Sequence, residues 1–358
     1  MSREKLCSFL KKDIPQIEGK KLWIFGAGNT SVLYYNGLMR LEKEGFYIEG
    51  YVDNDSTKWG QTFNGKTVVS LDSLENRKNE ICILICSIQA KVIKALSEQL
   101  DQKGYLFYLI DDVILKLHFQ QVMSVYDSFE DDKSRDLYED LIYERISGAG
   151  RLFETDCREQ YFALPHFEMN NPNEVFVDCG AYVGDTLERY IFKKEGVFRK
   201  IICFEPDPHN YQAMEERIQR LKLEWGLDDD KIQIHNEGVS DIARNVAVER
   251  YGKNNGLGSH VVIGSDNDSG RVVSLDDAIS ERYTFLKADI ESFEYNMLLG
   301  AKKGIQNNKP LLAICIYHNV VDFYEIPKLI KEFDLNYKLS IRQHSPVLSD
   351  TVLYAWID

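Results

Sequence analysis

The chain reads as an α/β protein of two successive sheet-and-helix units joined by a helical stretch. Three observations lead there. Short apolar runs alternate with segments of helical period over residues 1–115, and again from residue 170 to the end. Each series opens with an apolar run that stops in a glycine turn, WIFGAG in the first and VFVDCG in the second. The second series closes on two strand-like runs, YKLSIRQHS and TVLYAWID, with no helix between them. A length of 358 residues suits two domains, at roughly 100–200 residues each.

In the first unit, KKLWIFGAG is a buried strand ending in glycine, and residues 30–44 have helical period. FYIEGYVDND is a second strand that ends in acids, ICILICS a third, residues 89–102 a helix, and YLFYLID a fourth strand. A helical connector spans 116–169, with apolar residues at helical spacing in LYEDLIYERIS. Asn170, Asn171, Pro172 and Asn173 then form a turn. The expected domains are therefore 1–115, the connector 116–169, and 170–358.

In the second unit, EVFVDCG is strand one, and a helix follows from about Asp185. KIICFEP, KIQIHNEGVS, YTFLKADIE and LLAICIYH supply strands two to five. HNYQAMEERIQRLKLEWG, FEYNMLLGAKKGI and FYEIPKLIKEF supply helices. Residues 241–270, rich in Gly, Asn and Asp, read as a loop or β-insertion. The short link through Pro346 and Asp350 makes the last two runs an antiparallel hairpin. Five β/α units and a terminal hairpin are the strand inventory of the seven-stranded class I methyltransferase sheet, not of the plain dinucleotide fold.

Composition narrows the function. The formal net charge is −14 and no basic stripe is present, so nucleic acid is excluded as a partner and anionic membranes do not attract the chain. No apolar run approaches the ~20 residues of a membrane helix. MSREKLCSFLKKD has no apolar core or cleavage site of a secretory leader, so a cytoplasmic location is expected. The seven cysteines are irregularly spaced, and Cys82, Cys86, Cys179, Cys203 and Cys315 lie in apolar runs. They read as reduced, buried thiols.

The chemistry sits at the strand ends. VFVDCGAYVGD carries Asp178, Gly180 and Gly184 as D-x-G-x-x-x-G. Glycines let backbone pass close to a ligand at the carboxyl end of the first strand. The preceding acid suits a cationic amine or sulfonium better than a phosphate. Glu205 in CFEPDP ends strand two, 27 residues after Asp178, where an acid accepts hydrogen bonds from ribose hydroxyls. Pro206 and Pro208 stiffen that turn. Gly238 and Val239 in EGVSD are small enough to flank an adenine ring, or form a plain turn. Asp289 and Glu291 share a face if the chain stays extended, and Glu294 opens the next helix as a dipole-favoured acid. His318 ends strand five. With Asp289 and Glu291 it reads as a proton-accepting pocket, although the same groups suit a divalent cation or a satisfied structural histidine. The reading adopted needs no metal. Arg342 and His344 share a face of strand six and suit either an anionic acceptor or surface acids.

Taken together, VFVDCGAYVGD, FEPDP, VSLDDAI, LKADIESFEYNMLLGAKKGI and KPLLAICIYH resemble the FkbM family of methyltransferases in order and spacing over roughly residues 170–358. The resemblance implies a class I methyltransferase Rossmann-like sheet, S-adenosylmethionine as cofactor, and a hydroxyl acceptor on a sugar, glycan precursor or natural product. It places Asp178, Gly180 and Gly184 along the methionine side, Glu205 at the ribose and Asp207 near the adenosine. Ala181, Tyr182, Asp185, Thr186, Pro206, Gly238, Val239 and Asp289 complete the expected cofactor-binding set. Asp289 and Glu291 match the family's D-x-E at the active-site strand. Two positions depart from the pattern. Ser292 stands where the family commonly has glycine, and Tyr182 where it commonly has asparagine. Both add bulk beside the cofactor, and neither removes a needed charge.

The first unit resembles the small Rossmann-like domains found beside sugar-modifying enzymes. Gly26 and Gly28 are present, but Ser31 stands where a third glycine would fall, and Asp53 ends the second strand. A scaffold or docking role is the preferred reading. A nucleotide-sugar or NAD-linked activity through this unit, or a non-catalytic cofactor-binding role for the chain, stays open, as does a homo-oligomer.

Overall fold

The computed structural model describes residues 3–13, 15–28, 31, 34–250, 259–262 and 269–358. It separates into two compact units. The first comprises residues 1–154 with 317–324 and 345–349; the second comprises 155–316, 325–344 and 350–358. The division after residue 154 falls inside the stretch expected as a connector. The helices of 116–147 are thus part of the first unit, because their apolar faces are buried within it.

The first unit holds a six-stranded sheet of β1 (Lys21–Phe25), β2 (Ile48–Val52), β3 (Thr62–Phe63), β4 (Lys66–Val69), β5 (Ile81–Ile85) and β6 (Phe107–Leu109). Their order is β3-β4-β2-β1-β5-β6, parallel except for the β3–β4 hairpin. β5 is buried along its whole length, as its unbroken apolar run requires of a strand covered on both faces. Trp23, Phe25, Ile83, Ile85, Ile93 and Leu100 pack into one core, and each such side chain contributes ~1.5–3 kcal/mol when fully buried. Of the helix expected over 30–44, Tyr35–Lys43 is helical, while residues 30, 32 and 33 lie outside the described residues. The helix Asp132–Ser147 is capped by Asp131, whose carboxylate accepts from Ser134 N at 2.8 Å, and it stops at Gly148 with φ 58°.

The second unit holds a seven-stranded sheet. Its strands are β7 (Val175–Cys179), β8 (Lys200–Phe204), β9 (Ile232–His235), β14 (Phe285–Ala288), β15 (Leu311–Cys315), β16 (Lys338–Gln343) and β17 (Thr351–Trp356). The order β16-β17-β15-β14-β7-β8-β9 has β17 antiparallel between β15 and β16 and all other pairs parallel. This is the expected class I methyltransferase topology, and the terminal hairpin supplies its single antiparallel insertion. In and around the stretch 241–270 the described residues form a small second sheet of β10 (Gly238–Val239), β11 (Arg244–Arg250), β12 (Ser259–Val262) and β13 (Gly270–Val273). Residues 251–258 and 263–268 of that expected insertion lie outside the described residues.

Helices cover the parallel strands. Asp185–Lys193 starts where the spacing placed it. Pro208–Trp225 is opened by Asp207 and Pro208 and closed by Gly226 at φ 62°. Among the described residues, no helix is long and apolar enough to cross a membrane.

Candidate active site

The carboxyl ends of β7, β8 and β14 meet at Gly180. Its N–H and that of Ala181 both donate to Phe204 O, at 3.0 and 3.1 Å. Its φ is 79°, and a Cβ there would lie 2.0 Å from Asp289 O. Only glycine permits this approach of the first-strand turn to the fourth strand. Tyr182 follows at φ 50° and Gly184 at φ 78°, after which the helix begins with Asp185 and the buried Thr186.

Glu205 ends β8 and ties this turn to the next. Its Oε2 accepts from Tyr182 N at 2.9 Å, and its Oε1 from Asp207 N at 2.9 Å and Asn210 Nδ2 at 3.3 Å. The side chain is 4% exposed. Burial pushes its pKa up, and the donors from Asp207, Asn210 and Tyr182 offset this only in part. Added hydroxyl donors would therefore stabilise its charged form. Asp207, which the resemblance placed near the adenosine, spends its Oδ1 on the amides of His209 (2.8 Å) and Asn210 (3.3 Å) as a helix cap. Asn236 Nδ2 donates to Glu205 O at 2.9 Å. Pro206 packs beside Gly238, where a Cβ would meet it at 3.5 Å, and Val239 is buried. Asn210 and Asn236 carried no signal in the sequence; Asn236 in particular acts on a turn 31 residues away along the chain.

Asp178 is fully buried, and its partner is Lys287, a residue that the sequence reading passed over. Lys287 Nζ lies 2.8 Å from Asp178 Oδ1 and donates to Gly180 O at 2.8 Å. Burial pulls the Lys287 pKa down, but Asp178 and Asp289 outweigh that and hold the ammonium charged. The signal was a lysine inside the otherwise apolar FLKA strand, where an ammonium is buried only if paired. Asp178 thus supports the turn from beneath through this cation.

Asp289 N extends the ladder by donating to Cys179 O at 3.1 Å, and its Oδ2 accepts from Tyr161 Oη at 2.8 Å. The extended chain ends here. Glu291 (φ 53°) and Ser292 (φ 74°) both lie in the left-handed region of a turn, so strand alternation does not put Asp289 and Glu291 on one face. Glu294 is fully buried, and its Oε1 accepts from Ile290 N at 2.8 Å at the start of helix Glu294–Gly300. That is the structural part expected of it.

His318 lies past β15, in the segment 317–324 that clusters with the first unit, where its ring packs 4.0 Å from that of Tyr317. Arg342 lies on β16, with Nε 3.5 Å from Asp156 Oδ2. His344 follows the strand, with Nε2 3.0 Å from Tyr354 Oη. These two residues are engaged by different partners inside the second unit.

In the first unit, Gly26 (φ 118°) begins the turn after β1. Asp53 Oδ2 accepts from Ala27 N at 2.9 Å and from Lys58 Nζ at 2.8 Å, while Lys58 also donates to Ala27 O at 2.9 Å. The acid that would serve a ribose is thus already paired with a lysine. Gly28 lies in the turn, and Ser31 Oγ donates to Gly26 O. Residues 29 and 30 of the turn lie outside the described residues.

Residues 178–339 match the Methyltransferase FkbM domain, and residues 18–105 match the family described as C2185-like, N-terminal. A solved structure of a methyltransferase FkbM from Methylobacillus flagellatus KT shares the fold at TM-score 0.54 and 19% identity, with 99% of this chain and 98% of that one covered. Among curated proteins, the redox-sensing transcriptional repressor Rex of Anoxybacillus flavithermus is 29% identical over 99 residues, covering 28% of this chain and 46% of that protein. Rex of Carboxydothermus hydrogenoformans is 34% identical over 85 residues, covering 23% of this chain and 39% of that protein. The chain thus spans less than half the length of these curated relatives. The sheet order, the glycine turn against the fourth strand and the match over 178–339 agree, and residues 178–339 of the second unit are similar to the methyltransferase FkbM domain.

Proposed function

We propose that the second unit is an S-adenosylmethionine-dependent methyltransferase that methylates a hydroxyl group on a sugar, glycan precursor or natural product. One observation carries the reading. A buried carboxylate, Glu205, is held at the sheet edge by backbone N–H groups of two successive turns, beside a glycine, Gly180, whose missing Cβ lets the first-strand turn close against the Asp289 backbone. Bound there, S-adenosylmethionine supplies an electrophilic methyl group on a sulfonium.

The protein's own part is mainly orientation, since in-line displacement requires nucleophile, methyl and sulfur to be aligned. Glu205 accepts hydrogen bonds from the ribose hydroxyls. The turn 180–184 admits the methionine portion through backbone rather than side chains. Asp289, whose main chain abuts Gly180, orients the acceptor hydroxyl and takes its proton. Gly238 and Val239 flank the adenine.

The test is calorimetric titration of the full chain with S-adenosylmethionine, beside Glu205→Gln. Binding by the wild type and a loss of about tenfold or more in the variant are expected, since a hydrogen bond to a charged group is worth about 1.5–3 kcal/mol. Absence of binding by well-folded wild type would overturn the proposal.

A further inference from the structure

Tyr161 lies upstream of the matched domain, yet its side chain enters the methyltransferase site. Its backbone has φ 69°, a left-handed conformation that a bulky aromatic residue rarely adopts. Surrounding contacts enforce it. Its N–H donates to Tyr354 Oη at 3.0 Å, and Tyr354 is fully buried with Oη 3.0 Å from His344 Nε2. Its ring sits 5.1 Å from Lys287 Nζ, the cation that pairs with Asp178. Its hydroxyl ends 2.8 Å from Asp289 Oδ2 and 3.9 Å from Cys315 Sγ. A strained backbone held by several partners, and aimed at the acid of the proposed site, is the pattern in which strain serves function.

We propose that Tyr161 is a positioning residue that holds the Asp289 carboxylate facing the sulfonium of the bound cofactor. This rests on the S-adenosylmethionine reading above. A carboxylate oriented by a phenol donor offers a fixed negative charge to a sulfonium, and offers nothing comparable to the uncharged thioether of the product, S-adenosylhomocysteine. Tyr161 thereby sets the preference of the site for cofactor over product. Asp289 is faced by the Lys287 ammonium, which favours its charged form, and by the Glu294 carboxylate within 4.8 Å, which opposes it; the Tyr161 donor adds to the first, so the preference should persist to lower pH with Tyr161 than without it.

The experiment measures affinities for S-adenosylmethionine and S-adenosylhomocysteine by calorimetry across pH, in wild type, Tyr161→Phe and Asp289→Asn. Wild type is expected to prefer the sulfonium, with the preference fading on acidification. Asp289→Asn should lack the preference at every pH. Tyr161→Phe keeps the ring against Lys287; it should lose about three- to tenfold of the preference near neutrality, and the pH midpoint of the remainder should rise. A purely structural tyrosine would weaken both ligands equally and leave the midpoint unmoved. Wild-type preference and midpoint in Tyr161→Phe would overturn the proposal while leaving the methyltransferase reading intact. Retained preference in Asp289→Asn would overturn it by removing Asp289 from the sulfonium. Absence of binding of both ligands by folded wild type would overturn the underlying reading and this one with it. If Tyr161→Phe fails to fold, fluorotyrosine at position 161, a stronger donor, should lower the midpoint, and an unmoved midpoint would again overturn the proposal.

Discussion

Lys287 Nζ lies 2.8 Å from Asp178 Oδ1, and the two side chains are 2% and 0% exposed. The pair joins β14 to β7 directly beneath the glycine turn, and the same ammonium holds the carbonyl of Gly180. One cation therefore neutralises the buried acid and fixes the loop on which the proposed cofactor rests.

Lys287→Met should be strongly destabilising. It leaves Asp178 buried without its counter-charge, which costs about 3–5 kcal/mol. Adding Asp178→Asn should recover part of that loss, because the uncompensated charge is then gone. Urea unfolding of the single and double variants checks this. A single variant within ~0.5 kcal/mol of wild type would show the pair to be dispensable.

The backbone of the two cofactor-side turns predicts substitutions of opposite sign. Ser292 (φ 74°) and Tyr182 (φ 50°) occupy left-handed positions, at a cost of roughly 1–2 kcal/mol each for a residue with a Cβ. Ser292→Gly should raise the thermal midpoint, with a net gain of about 0.5–1 kcal/mol once the extra chain entropy that glycine gives the unfolded state is counted, and Tyr182→Asn should raise it because asparagine tolerates the left-handed region. Gly180→Ala should do the reverse, since its Cβ would fall 2.0 Å from Asp289 O. Loss of S-adenosylmethionine binding together with a lowered midpoint is expected there. A neutral Gly180→Ala would contradict the close approach.

The thiols should divide by burial. Burial pushes Cys82 and Cys86 up to about 12, so at pH 8 only about one in ten thousand is thiolate. Cys157 is exposed. Alkylation of the native protein at pH 8 should label Cys157 quickly and leave Cys82, Cys86, Cys179, Cys203 and Cys315 unlabelled until denaturant is added. Mass mapping after brief iodoacetamide treatment reads this directly, and rapid native labelling of Cys86 would refute the buried assignment.

Local pattern carried the legible part of this protein. β5 and β15 are continuous apolar runs of five residues, buried throughout or nearly so, and β7 is apolar except for Asp178. A strand covered on both faces needs such a run. Pro208 announced a helix start, as did Glu294, and each acts within a few residues of itself, whereas Asp207, read as lying near the adenosine, caps that same helix. Glu205 was legible because its position at the end of β8 follows from the strand pattern. The departures at Tyr182 and Ser292 were visible as bulk, but their left-handed backbone was not, since φ is set by how the turn must close.

What the sequence determined by itself was the class of fold, the hairpin that closes the seven-stranded sheet, and the row of glycines and acids at the strand ends. Hydrophobic period and turn chemistry are local, and they specify those features without reference to distant chain. The tertiary structure alone decided that Lys287 neutralises Asp178, that Asp53 is paired with Lys58, that Glu291 leaves the strand face, and that Tyr161 reaches Asp289 across 128 residues of chain. The physical reason is that a buried charge or donor is satisfied by whatever group the packed sheet brings within hydrogen-bond reach, and that neighbour is chosen by topology rather than by spacing along the chain.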